Sequence, residues 1–266
     1  YINREMAQPA NERSLISTVI PPGATHLYTG FSVSFLDSKV FYSFCACNLS
    51  IVMDFFIKLS GRGHCRHDLL QQLPVLTGNA VELAINRWLR LTCLTSHYSS
   101  LWCEAFKKSL PKDSWVINNL SLEGWTDCSS NWNRSSALRI DRSRRQALLE
   151  IDVLVAIALD LSLEQLIQIY TVQFPVMKAY EEADQYDARG QRLPNTTRKD
   201  AGAKELREAL KNHDGQSPIT VGWQIDNGNQ TVHKTYYPPF NHVDRIEDYK
   251  TAYRVFSERL NLNKEL

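Results

Sequence analysis

The chain has 266 residues, of which 43% are apolar and 10% aromatic, enough to fill a core in one or two globular domains. Thirty basic against twenty-nine acidic residues leave a net charge of +1, which excludes nucleic-acid binding by overall charge and leaves local patches to do it. Six cysteines (45, 47, 65, 93, 103, 128) spread through a long chain without a secretory leader point to reduced thiols in a cytosol, and apolar runs such as Ile151 to Leu161 are broken by charge and too short to span a bilayer.

From Leu15 to Ile20 and from Leu27 to Phe35, β-branched and aromatic residues predict two short strands, with Pro21-Pro22-Gly23 and Gly30 as turn punctuation. Leu49, Met53, Phe56 and Leu59 recur at helical spacing, so Phe41 to Leu59 predicts one helix, stopped by Ser60-Gly-Arg-Gly. Leu73-Pro74-Val75 is an extended exit. Asn79 to Lys108 is mostly helical in pattern, whereas Pro111 to Asn133 has little regularity. Arg142 to Leu159 is the strongest helix, and Ser162-Leu-Glu-Gln165 is a capping box that opens a second one and makes a helical hairpin. After Pro175 come a short helix, a turn at Tyr186 to Gly190 and a polar stretch, Asn195 to Lys204, expected to be mobile. Val221 to Ile225 and Thr231 to Tyr236 flank Asp226-Asn227-Gly228-Asn229, whose Asn-Gly pair suits a tight hairpin turn. Asp244 caps a last helix with Tyr249, Tyr253, Phe256 and Leu260 on one stripe. The fold class is therefore α+β: a small mixed-sheet unit at 1–78, a helical spacer at 79–180, and a hairpin-plus-helix cap at 181–266.

Several clusters carry residue types with chemical potential. Arg62-Gly-His64-Cys65-Arg66-His67 gathers donors that bond guanine edges or phosphates, and its glycines allow close approach; an ordinary solvated basic loop has the same composition. Arg13 enters a strand, where packing and ion pairing are the commoner role, while Arg4 has no local partner. Asn11 and Lys58 complete the set of candidate DNA contacts. Arg139, Arg142, Arg144 and Arg145 are the densest positive run, with Asp141, Glu150 and Asp152 as possible internal partners. Cys45-Ala-Cys47 and His64-Cys65-x-His67 have zinc-type residues at unusual spacing, so no metal is expected. Cys93 or Cys103 with His97 lacks an orienting acid for thiol catalysis. Tyr237-Pro238-Pro239-Phe240 imitates the Asn/Asp/Ser-Pro-Pro-aromatic loop of amino-methyltransferases, but a bulky phenol stands where a compact acceptor is needed, and no glycine-rich loop for S-adenosylmethionine is present.

The blocks Arg4 to Gly23, with Asn11-Glu12-Arg13-Ser14 inside, and Gly61 to Leu76 resemble the target-recognition region of DNA adenine methyltransferases from type IIG restriction-modification and DISARM- or BREX-like phage-defence systems. Arg144 to Ala156, Ile169-Tyr170-x-x-Gln173-Phe174-Pro175, and Pro238-Pro-Phe240-x-x-x-Asp244-Arg245-x-x-Asp248-Tyr249 extend the resemblance over most of the chain. In the family an Asn-Glu-Arg-Thr signature is usual, and Ser14 departs from it. The resemblance implies a bacterial cytoplasmic parent enzyme that methylates adenine N6 with S-adenosylmethionine. The chain, which starts at Tyr1, is expected to be its C-terminal specificity part, with no cofactor or catalytic residue of its own. Expected partners are double-stranded DNA, the catalytic portion of the same polypeptide, and other defence-system subunits. Arg4, Asn11, Arg13, Lys58, Arg62, His64, Arg66 and His67 are the expected DNA contacts. Two rivals stand beside this reading: a protein-interaction module, favoured by near-zero charge and by aromatics expected to be exposed, such as Trp125, Trp132, Tyr236 and Tyr237, and a complete small enzyme built on Tyr237-Pro-Pro-Phe240.

Overall fold

A computed structural model describes residues 1–261. Strand β1 (Ile2–Arg4) is central in a small sheet, with β2 (Ser17–Thr18) on one side and β3 (Gly30–Ser32) on the other. Both pairings are antiparallel, placing Ile2 opposite Thr18 and Ser32. The two strands expected from sequence thus pair with a third strand at the start of the chain and not with each other. The described sheets are antiparallel, which corrects the expected mixed sheet. Gly30 packs close to Ile2 on β1, since a Cβ there would lie 2.8 Å from Ile2 Cδ1 and that side-chain end would have to shift.

The expected helix from Phe41 to Leu59 is two helices, α1 (Ser38–Cys47) and α2 (Ile51–Leu59), bent by 80° at the break. Asp37 caps the first by accepting from the Lys39 and Val40 N–H groups; Ser50 caps the second by accepting from Met53 N–H. A second acceptor comes from far along the chain, since Asp152 Oδ1 takes the Ile51 N–H at 2.8 Å. Helical periodicity continues through the break, and the cue for the break is a capping serine and a tertiary carboxylate.

Further along lie α3 (His67–Leu70), α4 (Asn79–Thr92), α5 (Ser99–Ala105), α6 (Asp141–Ala158), α7 (Leu163–Gln173) and α8 (Pro175–Ala183). The Ser162–Gln165 capping box opens α7 with both reciprocal bonds in place. Strand β4 (Gln185–Tyr186) pairs with β7 (Asn241–His242), and between them in sequence come α9 (Ala203–Leu210) and the hairpin of β5 (Ile219–Ile225) and β6 (Gln230–Tyr236). Left-handed backbone in the hairpin turn falls at Asp226 and Gly228. The last helix, α10 (Arg245–Arg259), starts at Asp244 as expected and buries Tyr249 and Phe256.

Helix α6 is the axis of the molecule. It packs between α4 and α10, with α1 against α4 and α2 against α7, and its residues from Leu149 to Ala156 are almost wholly buried. One hydrophobic core runs from Tyr1 through α6 to Phe256, so the core does not follow the expected divisions at 78 and 180. A small second cluster, Leu193, Leu206, Ile219, Val221 and Tyr236, lies under the hairpin and α9. Among the described residues no single helix is long and apolar enough to cross a membrane.

The polar stretch expected to be mobile is held by ion pairs. Arg198 forks onto Asp184 at 2.7–3.1 Å, Arg192 reaches Asp200 at 2.6 Å, and the Asn195 N–H donates to Asp200. Buried Asp184 is the fixed point: charge that reads as solvated loop in sequence is here mutual neutralisation.

Candidate nucleic-acid interface

The segment Glu5 to Ala7 runs beside Gly63 to Cys65 in a strand-like contact. Cys65 N–H donates to Glu5 O at 2.7 Å, Ala7 N–H to Gly63 O at 2.9 Å, and the Asn3 amide to Cys65 O at 2.9 Å. Gly61, at φ 64°, turns the chain out of α2 to make this return. Cys65 points into the core, so its neighbours His64 and Arg66 face outward by strand alternation.

Glu5 organises that outward face. Its side chain is only 4% exposed, and Oε1 lies 2.8 Å from His64 Nδ1 and 2.6 Å from an Arg66 guanidinium nitrogen. The hydrogen bond from His64, then those and the charge from Arg66, hold the Glu5 carboxyl below its ordinary value despite burial. Arg66 also donates to the Tyr28 hydroxyl, with its guanidinium carbon 5.5 Å from the ring centre. Tyr28 and Leu27 are 77% and 82% exposed. Among the described residues His64 Nε2 and Arg66 Nη1 carry no hydrogen bond, so each presents an unused edge on a fixed support. Arg62 pairs with the exposed Asp68, and exposed His67 opens α3.

The other four candidates bond within the chain, Asn11 with an exposed bond, Arg4 with one exposed and one part-buried bond, and Arg13 and Lys58 with part-buried ones. Arg4 donates to Met6 O and Arg13 O. Arg13 pairs with Asp54 and donates to the carbonyls of Leu49 and Ser50 at 3.0 Å, tying the chain start to the break between α1 and α2. Lys58 is buried, spends its ammonium on Pro9 O and Asn11 O, and lies 4.5 Å from the Phe174 ring centre. Asn11 bonds Gln8. The structure brings Arg62, His64, Arg66 and His67 together at the surface and turns Arg4, Arg13 and Lys58 into ties beneath it.

The Arg139–Arg145 run is also mostly internal. Arg139 and Arg144 bond backbone carbonyls, while Arg145 reaches Glu181 and Asp248. Its partners come from α8 and α10, and the nearby acids Glu150 and Asp152 serve Arg87 and Arg245 instead. Internal ion pairs for this run were expected from sequence, but with Asp141, Glu150 and Asp152 as partners; what was not foreseen is the buried ionic core that Glu150 and Asp152 form with Arg87 and Arg245. Its signal was present: Glu150 and Asp152 interrupt a helix apolar on every side, and such residues need partners.

Burial pushes the thiols of Cys45, Cys47, Cys65 and Cys93 up to about 12, the state of inert core residues. Among the described residues no cluster of His, Cys, Asp and Glu could hold a metal ion. Tyr237 lies beneath Arg189, 3.5 Å from guanidinium carbon to ring centre, and its N–H and C=O are taken by Asp187 Oδ2 and Ala188 N–H. Tyr237-Pro-Pro-Phe240 is thereby fastened to the 187–189 turn.

The chain matches no family model, no curated protein and no solved structure. The functional reading therefore rests on geometry and on the motif resemblance.

Proposed function

We propose that this chain is the DNA target-recognition portion of a bacterial adenine methyltransferase of the restriction or phage-defence kind, with the 61–67 loop as its reading surface. The observation that carries the reading is Glu5: a buried carboxylate holding an arginine and a histidine whose outer edges are free. Reading a base edge requires donors fixed before contact, because each rotamer frozen on binding costs affinity. Arg66 offers its free Nη1 to a guanine or phosphate oxygen, and the planar fork once the Tyr28 hydroxyl is exchanged, while His64 offers a single ring nitrogen. Arg62 must first exchange Asp68, which suits it to phosphate contact rather than to base choice. Methyl transfer, with S-adenosylmethionine, belongs to the catalytic portion of the parent enzyme, which extrudes the adenine that this portion selects.

Selection of duplexes from a randomised pool by the chain, followed by sequencing, tests the proposal. A defined motif is expected from the wild type and a weakened one from Arg66→Ala; recovery of the starting pool by the wild type would overturn it.

A second reading, a docking surface for another defence subunit, is favoured by the exposure of Leu27, Tyr28 and Met6. Under it, Leu27→Asp abolishes partner capture and duplex selection stays empty.

A further inference from the structure

Away from the loop, Arg142 is the one arginine of its run whose guanidinium has no acceptor among the described residues. It is 8% exposed, and among the described residues its guanidinium makes no hydrogen bond or ion pair, with Nη1 fully buried and unpartnered. The Tyr186 ring lies 5.4 Å from the guanidinium carbon, and the carboxylates of Asp248 and Glu181 favour the cation without bonding it. Burial, then the charge of Arg145, lower its pKa, so the cation sits in an environment that resists it. A buried cation without a partner is costly, and every comparably buried arginine here other than this one has an acceptor.

Arg142 lines a cavity of about 320 Å³, within the range of roughly 300–1,000 Å³ that takes small ligands. The other polar groups in its wall are mostly donors. Asn119 Oδ1 accepts from both the N–H and the hydroxyl of Ser121, which leaves its Nδ2 free. His242 Nε2 is 2.8 Å from the Gln185 amide nitrogen, so the neutral ring accepts there and carries its proton on Nδ1. Asp187 also lines the cavity, but its carboxylate already takes the N–H groups of Arg189, Gln191 and Tyr237. Leu120, Pro239 and Val243 form an apolar side. Donors around a buried cation with an apolar wall opposite suit an anion attached to a small organic body.

We infer that this cavity binds the phosphate of a small phosphate ester, up to a mononucleotide in size, with Arg142 on the phosphate oxygens, Asn119 and His242 beside it, and the apolar wall against the ester's body. Phosphate is favoured over carboxylate because three donor side chains converge where a carboxylate offers two oxygens. Arg142 is recessed, which favours a free ester over the backbone of a continuous duplex. The site is independent of the 61–67 loop.

The test is calorimetric titration of the whole chain with AMP and with inorganic phosphate. AMP is expected to bind, inorganic phosphate to displace it, and Arg142→Gln to weaken AMP at least tenfold. Asn119→Asp sets a negative charge at the exposed mouth and is expected to weaken AMP about tenfold with an unchanged melting curve, so the test stands even if Arg142→Gln fails to fold. Absence of binding to wild type at millimolar AMP, wild-type affinity in Asn119→Asp, or displacement of AMP by a duplex but not by inorganic phosphate would each overturn the inference.

Discussion

The arginines of this chain fall into two regions that are similar in sequence and opposite in situation. Around α6, Arg245 bonds Asp152 at 2.8 Å and Glu181 at 2.9 Å, Arg145 bonds Glu181 and Asp248, and Arg87 bonds Glu150 at 2.6 Å and Asp113 at 3.0 Å, nearly all shut away from water. At the 61–67 loop, Arg66 and His64 share one buried carboxylate and keep their outer edges free. In the first region these three cations are matched with carboxylates so that they can be buried; in the second one anion fixes two donors so that they can be offered. Charge does not mark the difference, but the count and placement of acceptors does.

The comparison breaks most visibly in the buried region. Arg245→Ala leaves buried Asp152 without a cation and Glu181 with Arg145 alone, and should cost about 3–5 kcal/mol of stability in a denaturant melt. A loss below about 1 kcal/mol would mean that these charges are solvated. Leu154→Ala, at a wholly buried position of α6, should cost about 2–5 kcal/mol through the cavity it leaves, and an unchanged melt would deny α6 its central place.

Acid reaches the same network. Burial alone would raise the Glu181 carboxyl, but Arg245 and Arg145 outweigh it and bring it to about 2 from an ordinary 4.5. Its folded value is depressed, so its stabilisation is present above about 4.5 and lost as pH falls toward 2, amounting to about 3 kcal/mol at most. Asp152, raised by burial in spite of Arg245, works the other way and flattens the slope. Melts from neutral pH downward should show stability falling in that window, with a shallower fall in Glu181→Gln if that variant folds.

At the surface the effects move from stability to binding. Arg66→Ala should weaken duplex binding by about 1–3 kcal/mol, if its contact is bidentate, and lower stability less than Arg245→Ala does, because His64 still bonds Glu5. Fluorescence anisotropy and a melt check both halves. Smallest is Arg62→Ala, whose exposed pair with Asp68 should contribute about 0–1 kcal/mol to stability. A loss of affinity as large as that of Arg66→Ala would move Arg62 from phosphate contact to base reading.

Much of the fold was legible in sequence where local chemistry decides it. The Ser162–Gln165 box, the Asp244 cap, the Tyr249–Phe256 stripe and the α+β class all follow from residues a few positions apart. What was illegible depended on partners distant in sequence. The break at Asn48 to Ser50 is supported by Asp152, about a hundred residues on, and the ordering of Asn195 to Asp200 depends on Asp184 and Arg192. At the candidate site, the loop as a cluster of donors was readable, but its organiser Glu5 was not, because that carboxylate reaches His64 and Arg66 only once β1 has paired. Likewise nothing near Lys58 in sequence announces that Pro9 and Asn11 would claim its ammonium.

Duplex selection compared between Arg66→Ala and Leu154→Ala, at a temperature where both remain folded, separates a loop that reads DNA from a buried network that supports it. The prediction is that Arg66→Ala changes or loses the selected motif whereas Leu154→Ala returns the wild-type motif from its folded fraction. An unchanged motif in Arg66→Ala together with an altered one in Leu154→Ala would contradict it.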